Sequence, residues 1–154
     1  SVNGAKGIQF RLNYSIDMRY GVLHDIGSKV LAGEPVNLTM GHVNVIWQGD
    51  AISQALRCLR CCTNPMGIIN VSGPETLLVA DLARSFGERF ELEPKLIGET
   101  APTAWLTNTG KALELLGPPA IGLEQMIDWT ADWLQRGQSS LGKPTHYEAR
   151  DGAY

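Results

Sequence analysis

Short apolar runs with a two-residue period alternate along this chain with longer stretches whose apolar residues recur every three or four positions. A two-residue period presents one face of a strand, and a 3.6-residue period presents one stripe of a helix. Strands and helices that take turns in this way predict an α/β fold, because each helix covers a sheet face that would otherwise meet water.

Ile8-Gln9-Phe10-Arg11-Leu12-Asn13-Tyr14 alternates apolar and polar residues and reads as the first strand. Val22, Leu23, Ile26 and Val30 follow at helical spacing. Gly33 and then Pro35 predict the stop, a permissive residue after the last turn followed by a breaker. Residues 36–40 and 43–47 read as two short strands around Gly41. Asp50 opens a helix whose expected buried face is Ile52, Ala55, Leu56, Leu59 and Cys62. The Asp50 carboxylate is expected to accept from the free N–H groups of the first turn. Residues 67–71 read as a strand closed by Ser72-Gly73-Pro74, and Val79, Leu82, Ala83, Phe86 and Phe90 form the stripe of the next helix. A short strand at 95–97 and a short helix at 107–116, stopped by Gly117, come next. Leu123, Met126, Ile127, Thr130, Trp133 and Leu134 make the last amphipathic helix. Periodicity fades from Gly137, so residues 1–136 are expected to form one unit and residues 137–154 a tail.

With 154 residues, 44% hydrophobic and 19% charged, the chain can bury a core of its own and is not of disordered composition. A net charge of -3 and the lack of any Lys/Arg-rich run supply no footprint for phosphate backbones, so nucleic acid is not an expected partner. No apolar run is long enough to span a bilayer, and no basic-then-apolar leader opens the sequence. Cys58, Cys61 and Cys62 are an odd, clustered set, a poor disulfide framework that fits a reducing cytoplasm. They lie late in a helical pattern without a second Cys pair or a spaced histidine, so core packing is expected of them and no metal site.

Four segments, taken in order, carry a resemblance. They are Arg11-Leu12-Asn13-Tyr14 with Arg19-Tyr20-Gly21, then Gly33-Glu34-Pro35-Val36, then Val45-Ile46-Trp47-Gln48-Gly49-Asp50-Ala51, and finally Ile69-Asn70-Val71-Ser72-Gly73-Pro74-Glu75. Across residues 8–136 the chain resembles the carboxy-terminal, substrate-side portion of an NAD-dependent epimerase/dehydratase, in the extended short-chain dehydrogenase/reductase family. The resemblance implies the carboxy-terminal part of an extended Rossmann-like fold. It also implies a full-length oxidoreductase or isomerase that passes a hydride to and from NAD or NADP, with a tyrosine as acid and base. The family's asparagine, three positions after the arginine, is replaced here by Tyr14, and Asn13 stands one residue earlier, a change of face in a strand. The resemblance points to Arg11, Asn13, Tyr14 and Arg19 as substrate-binding residues, to Trp47 as a pocket wall, and to Leu12 on the cofactor side. These residues are expected to gather at one end of the sheet. Sugar-nucleotide relatives place an arginine seven positions before the capping aspartate, where it forks onto a diphosphate. Val43 holds that position here, which favours a smaller or less anionic substrate.

Two signatures of the family are missing from the sequence. A dinucleotide fold needs a glycine-rich turn after a strand, so that a pyrophosphate can approach backbone N–H groups. Gly4-Ala5-Lys6-Gly7 precedes a strand instead, and Phe10 stands where a third glycine would be. The chemistry needs a tyrosine four residues before a lysine, whose ammonium lowers the phenol pKa. Tyr14 is followed by Met18, Tyr20 by His24 and Tyr147 by Asp151. No catalytic residue is therefore expected within the chain, and no cofactor binding by the chain alone. The implied partners are a small-molecule substrate and a cofactor half that would lie upstream of Ser1. Self-association through the exposed edge of the first strand is also expected. The alternative reading is a non-catalytic binding or interaction module that keeps the pocket scaffold.

Overall fold

A computed structural model describes residues 4–143 and 145–150. Eight strands are assigned: β1 (Ile8–Leu12), β2 (Ser15–Ile16), β3 (Val36–Asn37), β4 (His42–Val43), β5 (Ile46–Trp47), β6 (Gly67–Val71), β7 (Leu77–Leu78) and β8 (Leu96–Ile97). Five helices alternate with them: α1 (Val22–Leu31), α2 (Gln48–Cys58), α3 (Val79–Phe90), α4 (Gly110–Leu116) and α5 (Leu123–Gln135). None of the described helices is long and apolar enough to cross a membrane. The mixed strand and helix order predicted from the periodicity is present, and the sheets it forms are small.

The described residues fall into two compact units that interleave along the chain. The first comprises residues up to Ser15, Asn44–Glu75 and Thr107–Ile121. Its frame is the parallel pair β1 and β6, with Phe10 opposite Ile69 and Leu12 opposite Val71. Parallel strands need a long crossover, and α2 lies within it. Ile46, Ala51, Cys58, Ile69, Val71, Ala112 and Leu116 form its core, with Ile8 and Phe10 packed against them. Among the described residues β1 pairs with one strand only, so its other edge carries unpaired backbone groups.

The second unit comprises Ile16–Val43, Thr76–Leu106 and the residues from Gly122 on. Here α1, α3 and α5 pack on one another. Val22, Leu23 and Ile26 of α1, Val79, Ala83 and Phe86 of α3, and Ile127 of α5 are fully buried. The Phe86 and Phe90 rings stack with centroids 5.8 Å apart. Gly33, at φ 65, ends α1 in the left-handed region as its stop signal predicts. The described part of the 137–154 stretch belongs to this unit and is pinned to it: Thr145 donates to Asp25, Lys29 to Glu148, and Trp105 to the Ala149 carbonyl. Pro144 and residues 151–154 of that stretch lie outside the described residues.

Three expectations are corrected. The first strand stops at Leu12 instead of running to residue 14, because Tyr14 adopts φ 39 and turns the chain. The buried face of α2 is Asp50, Ala51, Gln54 and Cys58, while Ile52, Leu56 and Leu59 are 53%, 66% and 69% exposed. The stripe is present at helical spacing but looks away from its own unit, because small residues are what let the helix lie close on the sheet. Asp50 is not the cap either. Trp47 is the cap residue and makes no side-chain cap bond, and the Asp50 carboxylate accepts the Ile121 N–H at 2.9 Å, tying down the segment after α4.

Candidate functional site

Because β1 and β6 are parallel, their carboxyl ends open on the same side, and open α/β sheets present ligand groups outside that end. The register sets Arg11 opposite Asn70. The ladder closes where the Asn13 N–H donates to the Val71 carbonyl at 2.9 Å. At Tyr14 the chain enters a left-handed conformation that bulky residues rarely adopt. The Tyr14 carbonyl accepts the Ile46 N–H at 3.2 Å, which draws β5, and with it Trp47, alongside the turn. Arg11, Leu12, Asn13, Tyr14 and Trp47 thus belong to one unit and to one region of it.

Arg19 belongs to the second unit. There its guanidinium donates to Asp17 at 2.8 Å, and Asp17 also accepts the Arg19 backbone N–H at 2.6 Å. The guanidinium hydrogen bond holds the Asp17 carboxyl below the usual carboxylate range, against the opposing effect of partial burial.

One residue that the sequence reading passed over organises the strand ends. Asn44 is 3% exposed, and both ends of its side-chain amide are engaged. Its Nδ2 donates to the Thr107 carbonyl at 2.9 Å and to the Gly73 carbonyl at 3.2 Å. Its Oδ1 accepts from Asn13 Nδ2 and from the Thr107 N–H, each at 3.3 Å. Its carbonyl accepts the Ser72 hydroxyl at 2.9 Å. Four separate segments are fastened through this one amide. The available signal was a polar residue inside the apolar run Val43-Asn44-Val45, since a buried amide must find partners. Gly73 completes the junction, because a Cβ there would sit 2.0 Å from the Val45 carbonyl oxygen, which excludes every other residue.

Arg11 is exposed at this end and donates to Gln9 at 3.2 Å. Leu12 is 49% exposed although it closes an apolar strand. The region therefore offers amides, a phenol, an indole and one guanidinium on a rigid junction. Cys58 is buried in the core, and its thiol is pushed up, first by desolvation and then by the neighbouring thiols.

No protein-family model and no curated protein matches the sequence. Solved structures do match. UDP-glucose 4-epimerase of Thermus thermophilus, solved with NAD, aligns at TM-score 0.65 and 18% identity, over 87% of this chain and 48% of that one. The Bordetella bronchiseptica enzyme WbmF, solved with NADH, aligns at TM-score 0.65 and 17% identity, over 84% and 46%. UDP-glucose 4-epimerase of Thermotoga maritima, solved with UDP-glucose, aligns at TM-score 0.62 and 17% identity, over 84% and 45%. The chain shares its fold with these enzymes and spans a little under half of their length.

Proposed function

We propose that this chain is the substrate-binding, carboxy-terminal portion of an NAD(P)-dependent epimerase/dehydratase-like oxidoreductase. The observation that carries the reading is coverage. Nearly all of this chain aligns with less than half of each enzyme, and the sequence has neither the glycine turn nor the Tyr-x-x-x-Lys pair. The cofactor, NAD or NADP, then belongs to a partner half, and residues 1–136 shape the substrate pocket. Arg11, Asn13, Tyr14 and Trp47 contact substrate at the carboxyl ends of β1 and β6, Leu12 faces the cofactor, and Arg19 is a further substrate-binding residue. Val43 is fully buried where the resemblance puts a phosphate-binding arginine, which supports a substrate less anionic than a nucleotide-diphosphate sugar.

Alone, the chain is inactive and binds neither cofactor. Calorimetry with NAD and with NADP should show no saturable heat, and micromolar binding of either would overturn the reading. The unpaired edge of β1 should make the isolated chain self-associate, which light scattering across concentration reads directly. A strictly monomeric chain would favour the interaction-module alternative.

A further inference from the structure

Two asparagines meet at the strand ends of the first unit, and the polarity of one fixes the polarity of the other. The Asn13 N–H is held by the Val71 carbonyl at 2.9 Å, and the Asn13 Nδ2 donates to Asn44 Oδ1 at 3.3 Å. A side-chain amide has nearly the same shape either way round, so its partners decide which end carries the oxygen. Backbone groups have no such freedom, and they surround the Asn44 amide.

The Gly73 and Thr107 carbonyls only accept, and they lie 3.2 and 2.9 Å from Asn44 Nδ2. The Thr107 N–H only donates, and it lies 3.3 Å from Asn44 Oδ1. Turned over, the amide would set its oxygen against two carbonyl oxygens and its nitrogen against an N–H. For a side chain only 3% exposed, each reversal loses a hydrogen bond and adds a repulsion. The Asn44 oxygen is therefore fixed toward Asn13, and Asn13 has to meet it with nitrogen. What Asn13 turns outward is its oxygen. Asn13 is half-buried, and its Oδ1 has no partner among the described residues. Nor is that oxygen one of their buried unpaired atoms, so it reaches solvent.

An amide oxygen only accepts, so a ligand group that meets it has to donate, whatever the second Nδ2 hydrogen does. A carboxylate or phosphate oxygen placed there would meet a partial charge of its own sign. Arg11, two residues earlier and exposed, is a donor for an anionic group elsewhere on the same ligand and leaves the polarity at Asn13 unchanged. Resting on the reading that substrate binds at the carboxyl ends of β1 and β6, we propose that Asn13 selects a hydroxyl group of the substrate, accepting a hydrogen bond from it at Oδ1. Asn44 is the positioning residue that sets this polarity.

The probes are cyclohexanol, its methyl ether and the anion cyclohexanecarboxylate, titrated into the ¹⁵N-labelled chain while backbone and side-chain amides are followed by proton–nitrogen correlation. Cyclohexanol should move the Asn13 side-chain amide saturably. The ether should bind at least about tenfold more weakly, as expected for a lost hydrogen bond of about 1.4 kcal/mol, and the carboxylate should leave that amide unmoved. Asn44→Ala removes the fixed partner and lets the Asn13 amide turn over. Alcohol and carboxylate should then move it at similar concentrations, a change of preference that lost stability alone does not produce. If that variant fails to fold, Asn13→Leu, of similar volume and without an acceptor, should bring cyclohexanol down to the affinity of the ether, read on the Tyr14 backbone amide. Equal affinity for alcohol and ether, a carboxylate that moves Asn13 as strongly as the alcohol, or an unchanged preference in folded Asn44→Ala would overturn the selection and leave the placement of the substrate intact. If no probe moves any amide from Arg11 to Tyr14, the selection and the placement fail together.

Discussion

The helices of the two units use their apolar stripes in opposite ways. In the second unit the stripes of α1, α3 and α5 meet one another, and Val22, Leu23, Ile26, Val79, Ala83, Phe86 and Ile127 lose contact with solvent. In the first, α2 lays Ala51, Gln54 and Cys58 on its own core and leaves Ile52, Leu56 and Leu59 outside. A polar amide, Asn44, takes over the fastening of loops there. An apolar stripe on a helix therefore announces a contact without saying whether the same chain supplies it. The three helices of the second unit close on one another, whereas the first unit keeps an open strand edge and an open helix face.

The largest test of that contrast falls on the closed unit. Phe86→Ala removes a fully buried ring that packs on Phe90 and should cost about 3–5 kcal/mol, read as a lower denaturant midpoint and faster amide exchange in α1, α3 and α5. A loss under about 1 kcal/mol would mean that the helices are not closed on that ring. In the first unit, Asn44→Ala strands the Gly73 and Thr107 carbonyls and should cost about 1–3 kcal/mol, with exchange rising at the strand ends. If exchange there is unchanged, the junction is not held by this amide.

A smaller effect sits on the Asp17–Arg19 pair. The folded Asp17 pKa is depressed, so its contribution is present above the unfolded value of about 3.9 and fades as the pH falls through the lower folded value. Arg19→Gln should remove that dependence and flatten the acid limb of the stability profile, by a small amount because the exposed guanidinium is screened by solvent. An acid limb of unchanged shape would show the pair to be inert. The smallest effect on stability is expected on the open face. Leu56→Ser with Leu59→Ser should stay within about 0.5 kcal/mol of the parent while weakening self-association in light scattering. A loss above about 2 kcal/mol would show that the stripe is covered within the chain after all.

Much of the element order was legible from residues alone. The Val22–Val30 and Val79–Phe90 stripes became α1 and α3 with the buried faces their spacing gives, and the turn at Gly33 follows from its position after the last periodic residue. The α2 face was misread because spacing ranks residues by hydrophobicity, while the sheet selected those small enough to approach it, Ala51 and Cys58 among them. Of the candidate site, the residues of the first strand were read from resemblance, but the amide that organises them was not. Asn44 sits between two valines, and its partners come from segments near residues 13, 72 and 107, which no local pattern connects.

By itself the sequence determined which segments become strands and helices, since periodicity, glycine stops and polar interruptions act within a few residues of one another. It also determined that a glycine cofactor turn and a Tyr-x-x-x-Lys pair are missing from these residues, because both are local spacings. Only the tertiary structure decided which apolar face is covered and which asparagine holds the strand ends. Those outcomes depend on groups far apart in the chain competing for the same space and the same hydrogen bonds, and that competition is settled only when the segments meet.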